Sequence, residues 1–258
     1  MVFLICGSLA RGQTGNSAEI PAPLPPGIRA QDPRVRVDPD AVPWRAVGKF
    51  QAATINLRAS CTATLVGPST VVTAAHCLFN RRTQRNYPAG SLHFVIGYNS
   101  GRYAAHAVAI KMQIGVGYDP MRPKKTIGSD WALVSLDKSL GSPDRILPIL
   151  AEPTENGAKV TLGGYQQDHP LVLMADPECH IVGRFVDASK RLLLRDDCVG
   201  TNGVSGGPLL IYRGGKWRVA AIEVAGDLGL PSGAAVVLDD AVNTLCKQGK
   251  GCAAAAAQ

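Results

Sequence analysis

The hexapeptide Gly203-Val204-Ser205-Gly206-Gly207-Pro208 decides the reading of this chain, because it answers to two stretches far upstream: Thr73-Ala74-Ala75-His76-Cys77 and Ser129-Asp130-Trp131-Ala132-Leu133-Val134. A serine between glycines can present its hydroxyl on a tight turn. That hydroxyl is barely nucleophilic near neutral pH and needs an adjacent base. His76 can take its proton, and Asp130 can accept a hydrogen bond from one ring nitrogen of His76 and so fix the tautomer. Asp119 and Asp137 are the rival orienters. Asp119 precedes a proline in a loop, and Asp137 follows the apolar run of Asp130. The hexapeptide also fits Gly-x-Ser-x-Gly, the nucleophile elbow of α/β-hydrolases, but that fold needs a histidine after the serine. All five histidines, His76, His93, His106, His169 and His180, precede Ser205.

Around these stretches the chain alternates short apolar runs with turn residues, the pattern of an all-β protein. Strands are expected over Val47 to Leu57, Cys61 to Val66, Thr70 to Ala75, Leu92 to Tyr98, Ala104 to Ile114 and Asp130 to Leu136. A connector rich in turn formers, Asp137 to Pro148, separates them from a second set. That set comprises Lys159 to Gly163, Glu178 to Val186, Arg191 to Asp196, Pro208 to Tyr212, Lys216 to Val224 and Ala234 to Val237. Two runs of six strands imply two packed antiparallel β-barrels, at about 36–137 and 148–245, within a domain of residues 36–245. A short helix is expected over Asp239 to Lys247, capped by Asp239. His76 and Asp130 fall in the first half and Ser205 in the second, so the site lies in the cleft between barrels. No sequence repeat links the halves.

The order His, Asp, Ser and these motifs resemble the chymotrypsin-like serine proteases, the trypsin superfamily, over about residues 35–245. Thr73-Ala74-Ala75-His76-Cys77 resembles the histidine motif of that family, and Asp130-Trp131-Ala132-Leu133 its aspartate strand. In particular the chain is similar to the bacterial glutamyl-endopeptidase-like branch. The span from Cys61 to Cys77 around Gly67-Pro68, the seven residues from Cys198 to Ser205 and the compact spacing from Asp130 to Ser205 all point there. The resemblance implies a serine endopeptidase acting on polypeptides through an acyl-enzyme. The triad would be His76, Asp130 and Ser205, and the oxyanion hole the N–H groups of Gly203 and Ser205. No cofactor or metal is implied. An esterase on the same scaffold, or a protease-like binding protein without turnover, are the alternatives; the second would be expected to lack a triad member. Animal trypsins carry an aspartate immediately before the serine, which pairs with a newly freed N-terminal amine. Val204 stands here and cannot form that pair.

The resemblance also implies a primary pocket walled by the segment before the serine and the strand after it, which includes Val199, Thr201, Glu223 and Gly226. Glutamyl endopeptidases place a histidine where Glu223 stands. A carboxylate would repel acidic side chains and could pair with Arg or Lys; Asp227 is a second candidate, and a solvent-facing Glu223 the alternative.

Composition sets the frame. The chain has 258 residues, 18% charged, with 28 glycines and 18 prolines, which suits a turn-rich β protein able to bury a sizeable core. No apolar run reaches the 18 residues a membrane span needs. The formal charge of +7 is a modest basic excess, compatible with an acidic substrate or an anionic surface. Arg81, Arg82 and Arg85 form one cluster and Lys124 and Lys125 another, without the interleaved aromatics of a nucleic-acid surface. A monomer is expected. Residues 1–10, ending Ser8-Leu9-Ala10, read as a short secretory signal lacking a positive start, with a plain apolar N-terminus as the alternative. Residues 11–35 read as a Pro-rich leader and 246–258 as a tail. Of seven cysteines, Cys6 lies in the signal and six remain. Sequence-near pairing gives Cys61–Cys77, Cys179–Cys198 and Cys246–Cys252, although six cysteines allow about 15 connectivities. No Cys-x-x-Cys favours metal. Disulfides place the protein outside the cytoplasm, secreted or periplasmic.

Overall fold

Twelve strands account for most of the structure, a computed structural model that describes residues 28, 31–54, 57–150, 152, 154–226, 232–241 and 243. The first six are Val47–Thr54 (β1), Leu57–Gly67 (β2), Thr70–Thr73 (β3), Leu92–Ile96 (β4), Ala105–Ile114 (β5) and Ala132–Leu136 (β6). They close into an antiparallel barrel in the order β1-β2-β3-β6-β5-β4. The next six are Lys159–Gln166 (β7), His169–Val186 (β8), Leu192–Asp196 (β9), Pro208–Arg213 (β10), Lys216–Gly226 (β11) and Gly233–Val236 (β12). Their pairings run β7-β8-β9-β12-β11-β10 and return from β10 to β7. Counted from one within each half, both rings read 1-2-3-6-5-4. The repeat missing from the sequence is therefore present in the topology. Closure leaves neither ring with a free edge to recruit another strand.

Alternating apolar residues fill each barrel. Phe50, Leu65, Leu92, Phe94 and Ile96 are sealed inside the first, with Phe50 directly opposite Phe94 across β1 and β4. Leu162, Ile181, Leu194 and Leu209 are sealed inside the second. Each such side chain contributes about 1.5–3 kcal/mol of burial, offset in large part by chain entropy.

Two expectations need correction. The strand expected from Glu178 begins nine residues earlier, at His169. Pro170 and Pro177 disfavour a regular strand over that stretch, but Pro177 falls where the β7–β8 register shifts, between Asp176 and Cys179. A bulge there needs no ladder N–H, which makes proline tolerable. The strand expected to run to Ala75 stops at Thr73, and His76 sits on a 3-10 turn, Ala75–Leu78.

Val35–Arg36, ahead of the first barrel in sequence, pairs with Ala175 and Met174 of the second. This segment thus straps the two halves together. Residues 239–241 and 243 are helical, and Asp239 Oδ1 accepts from the N–H of Asp240. The expected signal segment with Cys6, the leader up to residue 27, Asp227, the Cys246–Cys252 pair, the later helix and the tail lie outside the described residues. No helix among the described residues is long and apolar enough to cross a membrane.

Candidate active site

His76 and Asp130 meet at the end of the first barrel. β3 pairs with β6 through Thr73 and Ala132, which sets the 3-10 turn after β3 against the loop before β6. There Asp130 receives two hydrogen bonds from one residue. Its Oδ1 accepts from the backbone N–H of His76, and its Oδ2 lies against His76 Nδ1, both at 2.8 Å. The Asp130 side chain is 5% exposed, that of His76 23%. With Nδ1–H donating to the buried carboxylate, Nε2 is left as the open, basic nitrogen. The rival aspartates are spent elsewhere. Asp119 caps its own loop through the N–H of Met121 and the Arg122 guanidinium, and Asp137 accepts from the N–H of Val108.

Ser205 arrives from the second barrel on the turn before β10. Its carbonyl oxygen accepts from the N–H of Thr62, on β2 of the first barrel, at 2.9 Å. Cys77 Sγ, bonded to Cys61, lies 3.8 Å from the same oxygen. A half-cystine has no S–H to donate, so this is packing contact. It brings the residue after His76 against Ser205.

Thr62, which lies in no motif, is the hub of this junction. It is fully buried. Its hydroxyl donates to the carbonyl of Gly203 and accepts from the N–H of Tyr165, both at 2.9 Å. One threonine therefore holds the carbonyls of Gly203 and Ser205 inward. The N–H groups of Val204, Gly206 and Gly207 are all spent on the carbonyls of Thr201, Glu223 and Val204. Among the described residues, those of Gly203 and Ser205 have no backbone carbonyl as partner.

Two glycines make the turn possible. Gly203 has φ +98°, and a Cβ there would stand 2.6 Å from the carbonyl oxygen of Tyr165. Gly206 has φ +77°, and its Cβ would stand 2.2 Å from Thr73 Oγ1 and 2.4 Å from Thr62 O. Gly206→Ala is therefore expected to destabilise the protein by about 3 kcal/mol, since strain and overlap coincide. A denaturant midpoint unchanged from wild type would contradict this.

The expected pocket residues take three different positions. Val199 and Thr201 are buried in the segment leading to Ser205, and Gly226 is exposed at the end of β11. Glu223 is 4% exposed and does not face solvent. Its backbone braces the Ser205 turn from behind, through Gly206 N–H to Glu223 O at 2.7 Å and Glu223 N–H to Gly207 O at 2.8 Å. Its carboxyl shares the buried end of the second barrel with that of Asp196; a Cβ on Gly233 would stand within 2.8 Å of both. A separate pocket of about 320 Å³ opens beside Gly203, lined by Ser60, Gln166, Gln167, Pro170 and Asn202 among others. Val204 points into the second barrel's core.

One group of ligand types does converge, Cys61, His76 and Cys77, but the two sulfurs are joined to each other. The second disulfide, Cys179–Cys198, ties β8 to the segment before Ser205.

Comparison with known proteins bears on the fold and the family. A solved Glu endopeptidase, in complex with MPD, superposes with a TM-score of 0.70 at 17% identity, covering 86% of this chain and 99% of its own. A thermostable serine protease, AL20 from an extremophilic microorganism, superposes at 0.62 and 20% identity, covering 80% and 97%. At such identities the likeness is one of fold. No curated protein matches in sequence. The Trypsin family model matches residues 34–236, from the strap ahead of the first barrel to the last strand of the second. The chain belongs to the trypsin family of serine endopeptidases.

Proposed function

We propose that the protein hydrolyses peptide bonds outside the cytoplasm, with Ser205 as nucleophile, His76 as general base and Asp130 as its orienter. The observation that carries this is the doubly bonded His76–Asp130 pair with the Ser205 turn docked onto it through Thr62 and Cys77. Ser205 Oγ attacks the scissile carbonyl while its proton passes to His76 Nε2. The carbonyl oxygen gains negative charge, which the N–H groups of Gly203 and Ser205 meet. Each such donor is worth about 2.7–4 kcal/mol in the transition state. The leaving amine takes the proton from His76, and water then releases the acyl group by the same steps in reverse. Two disulfides support an oxidising compartment.

For primary specificity, Glu223 supports a preference for Arg or Lys before the cut, with Val199, Thr201 and Gly226 as walls. Two buried carboxyls stand behind the Ser205 turn, and among the described residues neither has an Arg or Lys partner. A substrate cation would supply that missing charge.

The test is cleavage of a randomised peptide mixture, read by mass spectrometry, with Ser205→Ala alongside. Cleavage confined to the wild type, after basic residues, is the expected result. Equal cleavage by the variant would reject Ser205 as the nucleophile. Glu223→Ala is expected to lose most of the basic preference, and full retention would reject that residue. Turnover of simple esters without peptides would favour the esterase.

A further inference from the structure

A cation is sealed inside the second barrel's flank, next to the Ser205 turn but outside the triad. The Arg34 side chain is 1% exposed. Its Nε and Nη2 bind Asp32, at 2.9 and 2.7 Å, and its Nη1 and Nη2 bind Asp168 at 3.2 and 2.5 Å. Nη1 also donates to Gln166 Oε1 at 2.5 Å. Gln166 is itself buried, and the same oxygen accepts the backbone N–H of Thr201 at 2.8 Å. The Thr201 hydroxyl donates to Asp168 Oδ1 at 2.7 Å. The carbonyl of Thr201 in turn takes the N–H of Val204, whose carbonyl takes that of Gly207. An unbroken line of hydrogen bonds thus runs from Arg34 to the turn that carries Gly203 and Ser205.

We propose that Arg34 is a positioning residue for catalysis: its guanidinium, through Gln166, Asp168 and Thr201, holds the 201–207 turn in the shape that aims the N–H groups of Gly203 and Ser205. This rests on the reading of Ser205 as the nucleophile. The direction of charge fits. Burial pushes the Asp168 carboxyl up, but hydrogen bonds from Arg34 and Thr201 overcome it and bring it down to about 2. The guanidinium is likewise held charged, because its two carboxylates outweigh the cost of burial. Without it, Asp32 and Asp168 become adjacent like charges in a partly buried place. Asp168, 21% exposed, can turn to water and leave the Thr201 hydroxyl only its long contact, 3.5 Å, with Gln166 Oε1. The fork matters as well as the charge, since a lysine cannot reach three partners in one plane.

The organising cation is a side chain, and Val204 offers no carboxylate to a chain terminus. The geometry of the turn is then indifferent to the charge on the N-terminal amine.

The experiment compares wild type, Arg34→Met and Arg34→Lys in peptide hydrolysis, with active sites counted by end-point titration with a fluorophosphonate. Arg34→Met is expected to titrate fully, to lose about 100-fold in kcat per titrated site, and to keep KM within threefold, because the loss lies in the transition state. Arg34→Lys should fall between. A kcat per site within threefold of wild type, or a loss seen only as fewer titratable sites, overturns the proposal. Should Arg34→Met not fold, Thr201→Val removes one link only. About a tenfold fall in its kcat per site is expected, and none would be contrary. Selective acetylation of the α-amine of the unmutated protein should change kcat less than twofold, and a tenfold loss would move the organising charge to the chain terminus. Failure of wild type to be labelled at Ser205 would instead reject the underlying catalytic reading.

Discussion

Asp130→Asn is expected to fold normally and to lose about 10⁴-fold in kcat for peptide hydrolysis. The reason is the number of donors this carboxylate faces. Both arrive from His76, the backbone N–H at Oδ1 and the ring at Oδ2. A carboxylate accepts from both. An asparagine has one oxygen and one NH₂ group. The backbone N–H can only donate, so the amide oxygen must face it, and the NH₂ then faces the ring. Nδ1 becomes the acceptor, the ring proton moves to Nε2, and His76 presents an N–H to Ser205 in place of a lone pair. Little bulk changes at a site where the side chain is 5% exposed, so packing survives. Kinetics per titrated site, with circular dichroism as the folding control, measure this. A kcat within tenfold of wild type would show that Asp130 does not set the tautomer.

The proposed triad was legible because its chemistry leaves local marks. Small residues flank His76, glycines flank Ser205, and an apolar strand follows Asp130. Chain order alone removed the α/β-hydrolase. The strands were legible for a related reason, since each of the six in a half has an inward apolar row, as in Leu92–Ile96 or Leu192–Asp196. Their pairing was not. Nothing local in β9 says that it lies between β8 and β12, because that order comes from closure of the ring.

The support of the site was the hidden part. Thr62, Gln166 and Arg34 act through partners about 30 to 140 positions away, for example Thr62 to Gly203 and Arg34 to Gln166. A threonine in a strand and an arginine at the end of a Pro-rich stretch read as a leader carry no local signature of such roles. The start of β8 was hidden for the opposite reason, since its two prolines are a local signal that the bulge overrules. For Glu223 the residue was visible, but its facing was not. A bulge between Glu223 and Ala225 breaks the alternation by which its side would be read.

Asp196 and Glu223 lead to the second large effect, on stability. Both carboxyls are buried, and neither Asp196 Oδ2 nor Glu223 Oε2 has a donor from another described group. Two such groups cannot both ionise at low cost, so they share a proton. Burial raises Asp196 from 3.8 to about 7, and burial together with the neighbouring Asp196 raises Glu223 well above its usual 4.5. In the unfolded chain both ionise at their ordinary values. From about pH 4 to pH 7 the folded protein therefore holds more protons than the unfolded one, and its stability falls as the pH rises. The contribution is fully present below the ordinary carboxyl range and lost above the raised values. For Asp196 alone the loss is on the order of 4 kcal/mol. In Asp196→Asn the amide NH₂ can donate to Glu223, and one buried ionisation disappears. Urea midpoints at pH 4.5, 6, 7 and 8 should fall steeply for wild type and weakly for the variant, which becomes the more stable protein at pH 8. Parallel curves would mean that the pair is not the cause. The same measurement bears on specificity. An alkylguanidinium seated against Glu223 would favour the ionised pair, and so should raise the wild-type midpoint more at pH 8 than at pH 5. Equal shifts at both would place the cation away from these carboxyls.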